Sequence, residues 1–178
     1  MTKSLPKTRD ASPLQELPLG DWLELGHDRN HFDCGNADLN VFLQKYAQQQ
    51  SKKGVRSVYV LVDKREPVLI LGFYALSAAQ VEATQLTAAA QKKLPRYPIP
   101  CFRLGRLACR LGARGTGLGG ILLGLATQRC LRAREQVAAY ALLVDAKDTQ
   151  GADFYKHYGF TPLQDMPLAL YLPLGQTS

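Results

Sequence analysis

The chain has 178 residues, 46% hydrophobic and 21% charged, which fits one globular domain with its own core and excludes a largely disordered protein. Its 22 basic residues outnumber the 15 acidic ones, and the net charge of +7 favours an anionic partner such as nucleic acid or a phosphorylated ligand. The sequence shows no secretory leader, no run of about 18 apolar residues, and no Cys-x-x-Cys pair. We therefore expect a cytoplasmic protein without a membrane partner, a disulfide framework or a metal site.

The N-terminal region predicts a tail followed by a strand. Residues 1–14 are polar and contain proline, which is typical of a flexible tail ahead of a single domain spanning residues 15–178. The run LPLGDWLELG (17–26) then predicts a first strand.

A helix and a hairpin are predicted next. Asn36 is suited to be the N-cap of the helix, and Gly54 stands where the helix should stop. The apolar face of this helix repeats at helical spacing and consists of Leu39, Phe42, Leu43, Tyr46 and Ala47. Two runs rich in β-branched and aromatic residues, 55–63 and 68–81, flank the turn sequence KREP and predict a β-hairpin.

The second half of the chain alternates helices with buried strands. The segments predicted as helices are 84–100, which is short and closed by prolines, 118–136, and 149–160, which ends at Gly159. Those predicted as strands are 101–111, 137–146 and 168–174. An antiparallel meander followed by a β-α-β-α-β part indicates an α+β fold.

A glycine-rich loop, RGTGLGG (114–120), opens the long predicted helix. The first N–H groups of a helix lack intrahelical partners and carry partial positive charge, and glycines leave them open to an anion such as a diphosphate. A P-loop is excluded because no lysine follows the glycines, and the glycine spacing differs from the dinucleotide-binding fingerprint. Close packing of the helix on a strand through small residues stays open as the structural alternative.

The loop also fills the pattern [RQ]-x-x-G-x-[GA] through Arg114, Gly117 and Gly119, and FYKHYGF downstream fills F-Y-x-x-x-G-F. With these two ordered motifs the chain resembles the GNAT superfamily of N-acetyltransferases. The resemblance implies an α/β/α sandwich, with flanking helices on a mixed central sheet of six to seven strands, and acetyl-CoA as the cofactor, released as coenzyme A.

Three further stretches, FDCGNADLN, LGFYALSAAQVE and RLGRLACRLGARGTGLGG, resemble the GNAT toxins of type II toxin–antitoxin pairs from about Leu17 to Leu174. This resemblance implies direct transfer of an acetyl group to the α-amino group of aminoacyl-tRNA, which blocks translation. It also implies a small DNA-binding antitoxin as partner. The sequence leaves open whether the chain forms a homodimer.

The family pattern assigns the site residues. Tyr155, as the tyrosine of the second motif, is implied to be the catalytic acid, because a phenol is protonated at neutral pH and can give its proton to a leaving thiolate. Tyr158 and Tyr74 are the alternatives, and Asp145 or Asp148 could accept a proton from the amine. The implied cofactor-binding residues are Leu107, Ala108, Cys109, Arg114, Gly115, Thr116, Gly117, Leu118, Gly119, Gly120 and Phe154.

Basic clusters are the candidates for binding tRNA, because phosphate contacts give such complexes their affinity. Two clusters flank segments that form the acceptor groove in GNAT folds. Their residues are Lys45, Lys52, Lys53, Arg56, Lys92, Lys93 and Arg96.

Two other functions remain open at this stage. One is a housekeeping GNAT enzyme that acetylates a small-molecule amine or a protein amino group. The other is a regulator that binds acyl-CoA without catalysis. The presence of Tyr155 argues against this alternative, since a protein that only binds acyl-CoA needs no proton donor.

Overall fold

The computed structural model describes residues 13–19, 27–113 and 115–175. The strands are β1 (Leu14–Pro18), β2 (Ser57–Asp63), β3 (Glu66–Val81), β4 (Ile99–Cys109), β5 (Ala141–Asp145), β6 (Thr161–Leu163) and β7 (Met166–Pro173). They form one sheet in the order β1-β2-β3-β4-β5-β7-β6, in which only β4 and β5 run parallel. The predicted α+β fold, with its meander first and its parallel crossover second, is confirmed.

Helices cover both faces of this sheet. They are α1 (Ala37–Val41), a π-helical turn (Phe42–Tyr46), α2 (Ala47–Lys52), α3 (Ala88–Gln91), α4 (Leu118–Ala133) and α5 (Thr149–His157), with 3-10 turns at Ala83–Gln85 and Leu111–Ala113. One face carries the core formed with α4 and α5, where Leu122 and Ala152 meet Leu142. The other face carries two cores, one under the α1–α2 helix and one under the segment with α3.

The helix that starts at α1 follows the prediction at both ends. The Asn36 side chain accepts a hydrogen bond from the Leu39 N–H, and Gly54 adopts a left-handed φ of 71° just past the last turn. The π-helical turn in its middle was not predicted. It adds a residue to that turn, so that Tyr46 is 49% exposed while the rest of the predicted apolar face is buried.

A partly buried polar network fastens the edge strand β1 to α4. The Tyr74 hydroxyl donates to Glu16 Oε2 at 2.8 Å, and Arg129 Nε donates to the Tyr74 oxygen at 3.1 Å. Arg129 also pairs with Glu16 and lies 3.6 Å from the centroid of the Tyr59 ring. Burial raises the pKa of Tyr74 far above its ordinary value. Tyr74 is thus a structural residue on the α4 side of the sheet.

Three local predictions need correction. The first strand is Leu14–Pro18, so it begins in the predicted tail, and residues 20–26 of the predicted strand lie outside the described residues. The short helix predicted within 84–100 is confined to α3, because a 3-10 turn at Ala83–Gln85 precedes it and the prolines at 95, 98 and 100 follow it. The short strand β6 was missed, since three residues give no periodicity.

No helix of the described residues has the length and apolar character needed to cross a membrane.

Close packing at Gly72 of β3 yields a stability prediction. A Cβ there would lie 2.7 Å from Leu122 Cδ1 and 2.9 Å from the Ala108 carbonyl oxygen, so Gly72→Ala must push β4 and α4 away. We expect it to lower the free energy of unfolding by about 1–3 kcal/mol in urea titrations. Gly124→Ala is the matched control, because nothing lies within 4 Å of its position in α4 and alanine favours the helix. A Gly72→Ala protein as stable as the wild type would contradict the packing described.

Candidate active site

The sheet opens between β4 and β5. The two strands pair in parallel only from Phe102 with Leu142 to Leu104 with Val144, whereas β4 continues to Cys109. Beyond Leu104, β4 pairs only with β3, which leaves its other backbone edge open within the sheet. Backbone N–H and C=O groups along such an edge can bind a ligand.

A bulge at Gly105 marks the start of the opening. Ala75 and Leu76 of β3 pair with Arg106 and Leu104, so Gly105 is the extra residue in β4. A Cβ on Gly105 would collide with Arg56 Nη1, which means that the Arg56 guanidinium fills the space of the missing side chain.

A cavity of about 700 Å³ occupies the opening and extends to both faces of the sheet. It is lined by Cys34, Gly35, Asn36, Leu39, Leu104, Gly105, Arg106, Leu107, Ala108, Cys109, Asp145, Ala146, Lys147, Asp148, Gln150, Gly151, Phe154 and Tyr155. The predicted cofactor residues Leu107, Ala108, Cys109 and Phe154 are therefore brought together with Tyr155. One wall comes from α5 and the opposite one from the start of α1.

The glycine loop divides into two parts. Gly115 and Gly117 have left-handed φ angles of 78° and 80°, and a Cβ on either would meet open space. Gly119 and Gly120 serve packing, because Phe154 lies against the first and the Tyr158 hydroxyl covers the second. Gly119 and Gly120 thus allow α4 to pack closely on the aromatic residues at α5, and not on a strand as the structural alternative supposed. Thr116 is exposed, Leu118 is the first residue of α4, and Arg114 lies outside the described residues.

The FDCGNADLN stretch folds into a hydrogen-bonded loop that forms one cavity wall. Asp33 Oδ1 accepts from the Gly35 N–H at 2.8 Å and from Asn40 Nδ2 at 3.0 Å, and Asn40 Oδ1 accepts from the Cys34 N–H at 2.9 Å. The Asp33 carbonyl accepts from the Leu111 N–H at 2.9 Å, which ties the loop to the end of β4. The polar residues of this motif hold the backbone of Gly35 and Asn36 at the cavity.

Tyr155 lies half-buried between two aromatic rings at the cavity. Its ring meets Phe154 and Phe160 edge-on, at centroid distances of 5.2 and 5.5 Å. Burial, and to a lesser degree the negative charge of Asp145, raise the pKa of Tyr155 to about 12. The phenol therefore stays protonated throughout the neutral and mildly alkaline range.

The two alternative tyrosines lie away from the cavity, whereas Asp145 and Asp148, the predicted proton acceptors, both line it. Tyr158 is exposed and covers Gly120, and Tyr74 is held by Glu16 and Arg129. Asp148 caps α5 by accepting from the Gly151 N–H at 2.8 Å. Asp145 pairs with Arg103 Nη1 at 2.5 Å, so each of the two carboxylates already has a hydrogen-bond partner.

Three arginines gather beside Gly105, of which only Arg56 was predicted. Arg106 lies 4.9 Å from the centroid of the Phe42 ring, and Arg103 pairs with Asp145. Burial, together with the positive charges of Arg106 and Arg103, lowers the pKa of Arg56. The glycine inside the RLGRL strand pattern is the sequence signal for the bulge that brings these guanidinium groups together.

The other predicted basic residues form two groups, one on the helix that borders the cavity and one farther away. Lys45, Lys52 and Lys53 are exposed on the α1–α2 helix whose first residues border the cavity. Lys92, Lys93 and Arg96 are exposed and precede Ile99, the first residue of β4. The cavity lining in β4 begins five residues later, at Leu104, which is roughly 16 Å farther along the strand.

Comparison with known proteins identifies relatives of this chain. No protein-family model matches the chain. The probable toxin TacT of Sinorhizobium fredii is 30% identical over 84% of this chain and 86% of the relative. A tRNA-acetylating toxin of Mycobacterium tuberculosis is 32% identical over 82% of this chain and 85% of the relative.

Solved structures agree. AtaT complexed with acetyl-methionyl-tRNAfMet matches with a TM-score of 0.83 at 31% identity, over 90% of this chain and 94% of AtaT. A tyrosine-to-phenylalanine mutant of AtaT, bound to the C-terminus of the antitoxin AtaR and to acetyl-CoA, matches with a TM-score of 0.77 at 29% identity, over 92% of this chain and 94% of AtaT. The resemblance seen in the sequence is confirmed: this chain belongs to the GNAT family of tRNA-acetylating toxins.

Proposed function

We propose that this protein is an acetyl-CoA-dependent N-acetyltransferase that acetylates the α-amino group of an aminoacyl-tRNA and thereby blocks translation. The observation that carries the proposal is the cavity at the opening of the sheet. It joins the strand edge and Tyr155 to a cluster of arginines that could receive an RNA phosphate. The relatives named as tRNA-acetylating toxins, and AtaT with acetyl-methionyl-tRNAfMet, support this choice of acceptor.

The residues of the site fit acetyl-CoA. The open space beside Gly117 and the N–H groups at the start of α4, which have no acceptor within the helix, suit a diphosphate, and Arg114 would add a charge. The opened edge of β4 at Leu107, Ala108 and Cys109 suits the amide groups of a pantetheine arm. When bound, acetyl-CoA supplies an acetyl group already activated as a thioester.

Tyr155 is the proposed catalytic acid. A phenol carries its proton at neutral pH, and burial raises the pKa of Tyr155 further, so the residue is in the proton-donating form when the sulfur leaves. Backbone N–H groups of the opened β4 would stabilise negative charge on the carbonyl oxygen, since the strand is fixed by pairing with β3 and needs no rearrangement.

The acceptor is proposed to approach from the face that carries the α1–α2 helix. Arg56, Arg103 and Arg106 lie nearest to the cavity, with Lys45, Lys52 and Lys53 on the adjoining helix surface. Lys92, Lys93 and Arg96 could contact a more distant part of the tRNA. A small antitoxin that binds DNA is the proposed protein partner, and the cytoplasm, where charged tRNA is found, is the proposed location.

Replacing the phenol oxygen tests the role of Tyr155. We expect Tyr155→Phe to lower kcat for acetylation of aminoacyl-tRNA by roughly 10²-fold or more, because the leaving sulfur loses its proton donor. Transfer of radioactive acetyl groups to purified aminoacyl-tRNA measures it. Tyr158→Phe is the matched control and should keep turnover near the wild-type value, since Tyr158 is not among the residues that line the cavity. Equal turnover of Tyr155→Phe and wild type would refute the role of Tyr155 as the catalytic acid.

The same assay tests the acceptor. Labelling of polyamines or peptides, with no labelling of charged tRNA, would refute aminoacyl-tRNA as the substrate.

Salt dependence tests the contribution of the lysines. Exchanging Lys45, Lys52 and Lys53 for Gln should weaken tRNA binding and reduce the slope of log K against log salt by about one for each phosphate that the variant no longer binds. Filter binding across a range of KCl concentrations measures the slope. Arg132→Gln at the far end of α4 is the control and should leave the slope unchanged. An unaltered slope in the triple variant would show that these three lysines do not contact phosphates of the tRNA.

A further inference from the structure

Tyr46 occupies an unusual place on the α1–α2 helix. Phe42 lies one turn before Tyr46, across the π-helical turn, and Gln50 lies one turn after it, so these two residues are its neighbours along the helix. Both neighbours contact the arginine cluster: Phe42 carries Arg106 on its ring, and Gln50 Oε1 accepts from Arg56 Nε at 2.9 Å. Tyr46 therefore lies at the rim of the arginine cluster, between Phe42 and Gln50.

The exposure of this ring follows from the π-helical turn. In a regular helix Tyr46 would continue the buried face formed by Leu39, Phe42 and Leu43. The turn ends with the Ala47 N–H donating to the Phe42 carbonyl, five residues back, and this extra residue rotates Tyr46 outwards until it is 49% exposed. Single π-helical turns are often found at functional sites, and here the turn presents an aromatic ring to solvent.

The positive charges around the Tyr46 ring indicate which kind of ligand it could bind. Lys45 precedes it in the helix, and the guanidinium groups of Arg106 and Arg56 are held by the residues one turn before and one turn after it. Positive charge around an exposed aromatic ring is the arrangement that binds unpaired nucleotides, with phosphates on the charges and a base stacked on the ring. An amino acid carried by tRNA is attached to such an unpaired 3′ end, and Arg106, which lies over the Phe42 ring, also lines the cavity that the amine would enter.

We propose that Tyr46 is a positioning residue on which an unpaired base at the 3′ end of the acceptor tRNA stacks, while Arg56 and Arg106 contact the neighbouring phosphates. The proposal rests on the proposed function and names the part of the substrate that the rim binds. Stacking is tolerant of sequence, because every base offers a π face. Tyr46 would thus fix the path of the 3′ end without selecting the tRNA.

Steady-state kinetics with aminoacyl-tRNA tests the proposal. We expect Tyr46→Ala to raise KM about 5- to 150-fold, the range for losing one base stack, while kcat stays near the wild-type value. Tyr46→Phe should restore the wild-type KM, because stacking needs the ring and not the hydroxyl. Val137→Ala, at the most exposed large apolar residue of the described chain, is the control and should change neither constant.

A direct binding measurement complements the kinetics. In Tyr46→Trp the indole should keep the stacking, and its fluorescence should be quenched by an RNA hairpin that ends in unpaired 3′ nucleotides. The wild-type protein corrects for Trp22, which is the chain's single tryptophan.

The outcomes separate this proposal from the function it rests on. If wild-type protein acetylates aminoacyl-tRNA but Tyr46→Ala keeps the wild-type KM, the stacking role is overturned and the proposed function stands. If Tyr46→Phe is as defective as Tyr46→Ala, the hydroxyl and not the ring is in use, and the stacking role is again overturned. If Tyr46→Ala leaves KM unchanged but weakens binding of an antitoxin peptide, the ring belongs to the protein partner. If the wild type labels no charged tRNA, the proposed function itself fails.

Discussion

The separation of β4 from β5 after Leu104 is the constraint on which the site depends. A parallel pair that continued to Cys109 would occupy the backbone edge of β4 and leave no passage through the sheet. The bulge at Gly105 starts the separation, and the pairing of β4 with β3 keeps the opened edge rigid. The cavity, the position of Tyr155 on one wall and that of Asn36 on the other are consequences of this one break in the strand pairing.

The opening between β4 and β5 also connects two groups of site residues that lie on opposite faces of the sheet. On the face with α4 and α5, burial keeps Tyr155 protonated, and the start of α4 offers N–H groups to an anion. On the other face, Arg56 fills the space above Gly105, and Arg103 and Arg106 lie beside it. Two anionic substrates can therefore approach from opposite sides and meet at the opening, which is what direct acetyl transfer in a ternary complex requires.

Local sequence patterns predicted helix ends and strands well where a residue type has a single conformational role, such as capping or ending a helix. Asn36 as N-cap, Gly54 and Gly159 as stops, and the buried strand β5 are examples. Of the two GNAT motifs, the second contributes Phe154 and Tyr155 to the cavity lining, whereas residues 115–120 of the glycine loop are not part of that lining. The arginine cluster could not be predicted, because Arg56 and Arg103 are 47 residues apart and meet only through the bulge in β4. The outward turn of Tyr46 was missed for a related reason: a single added residue in a helix leaves no trace in apolar periodicity.

Titration of ¹⁵N-labelled protein with coenzyme A, followed by NMR, tests most directly whether the opened strand and the glycine loop form the coenzyme site. The backbone amide resonances of Leu107, Ala108 and Cys109 in β4, and of Leu118, Gly119 and Gly120 at the start of α4, should shift together with one saturation curve. The amides of β6 and of the β2–β3 turn should not move. Saturable binding that leaves both groups of amides unchanged would contradict the site described for this protein.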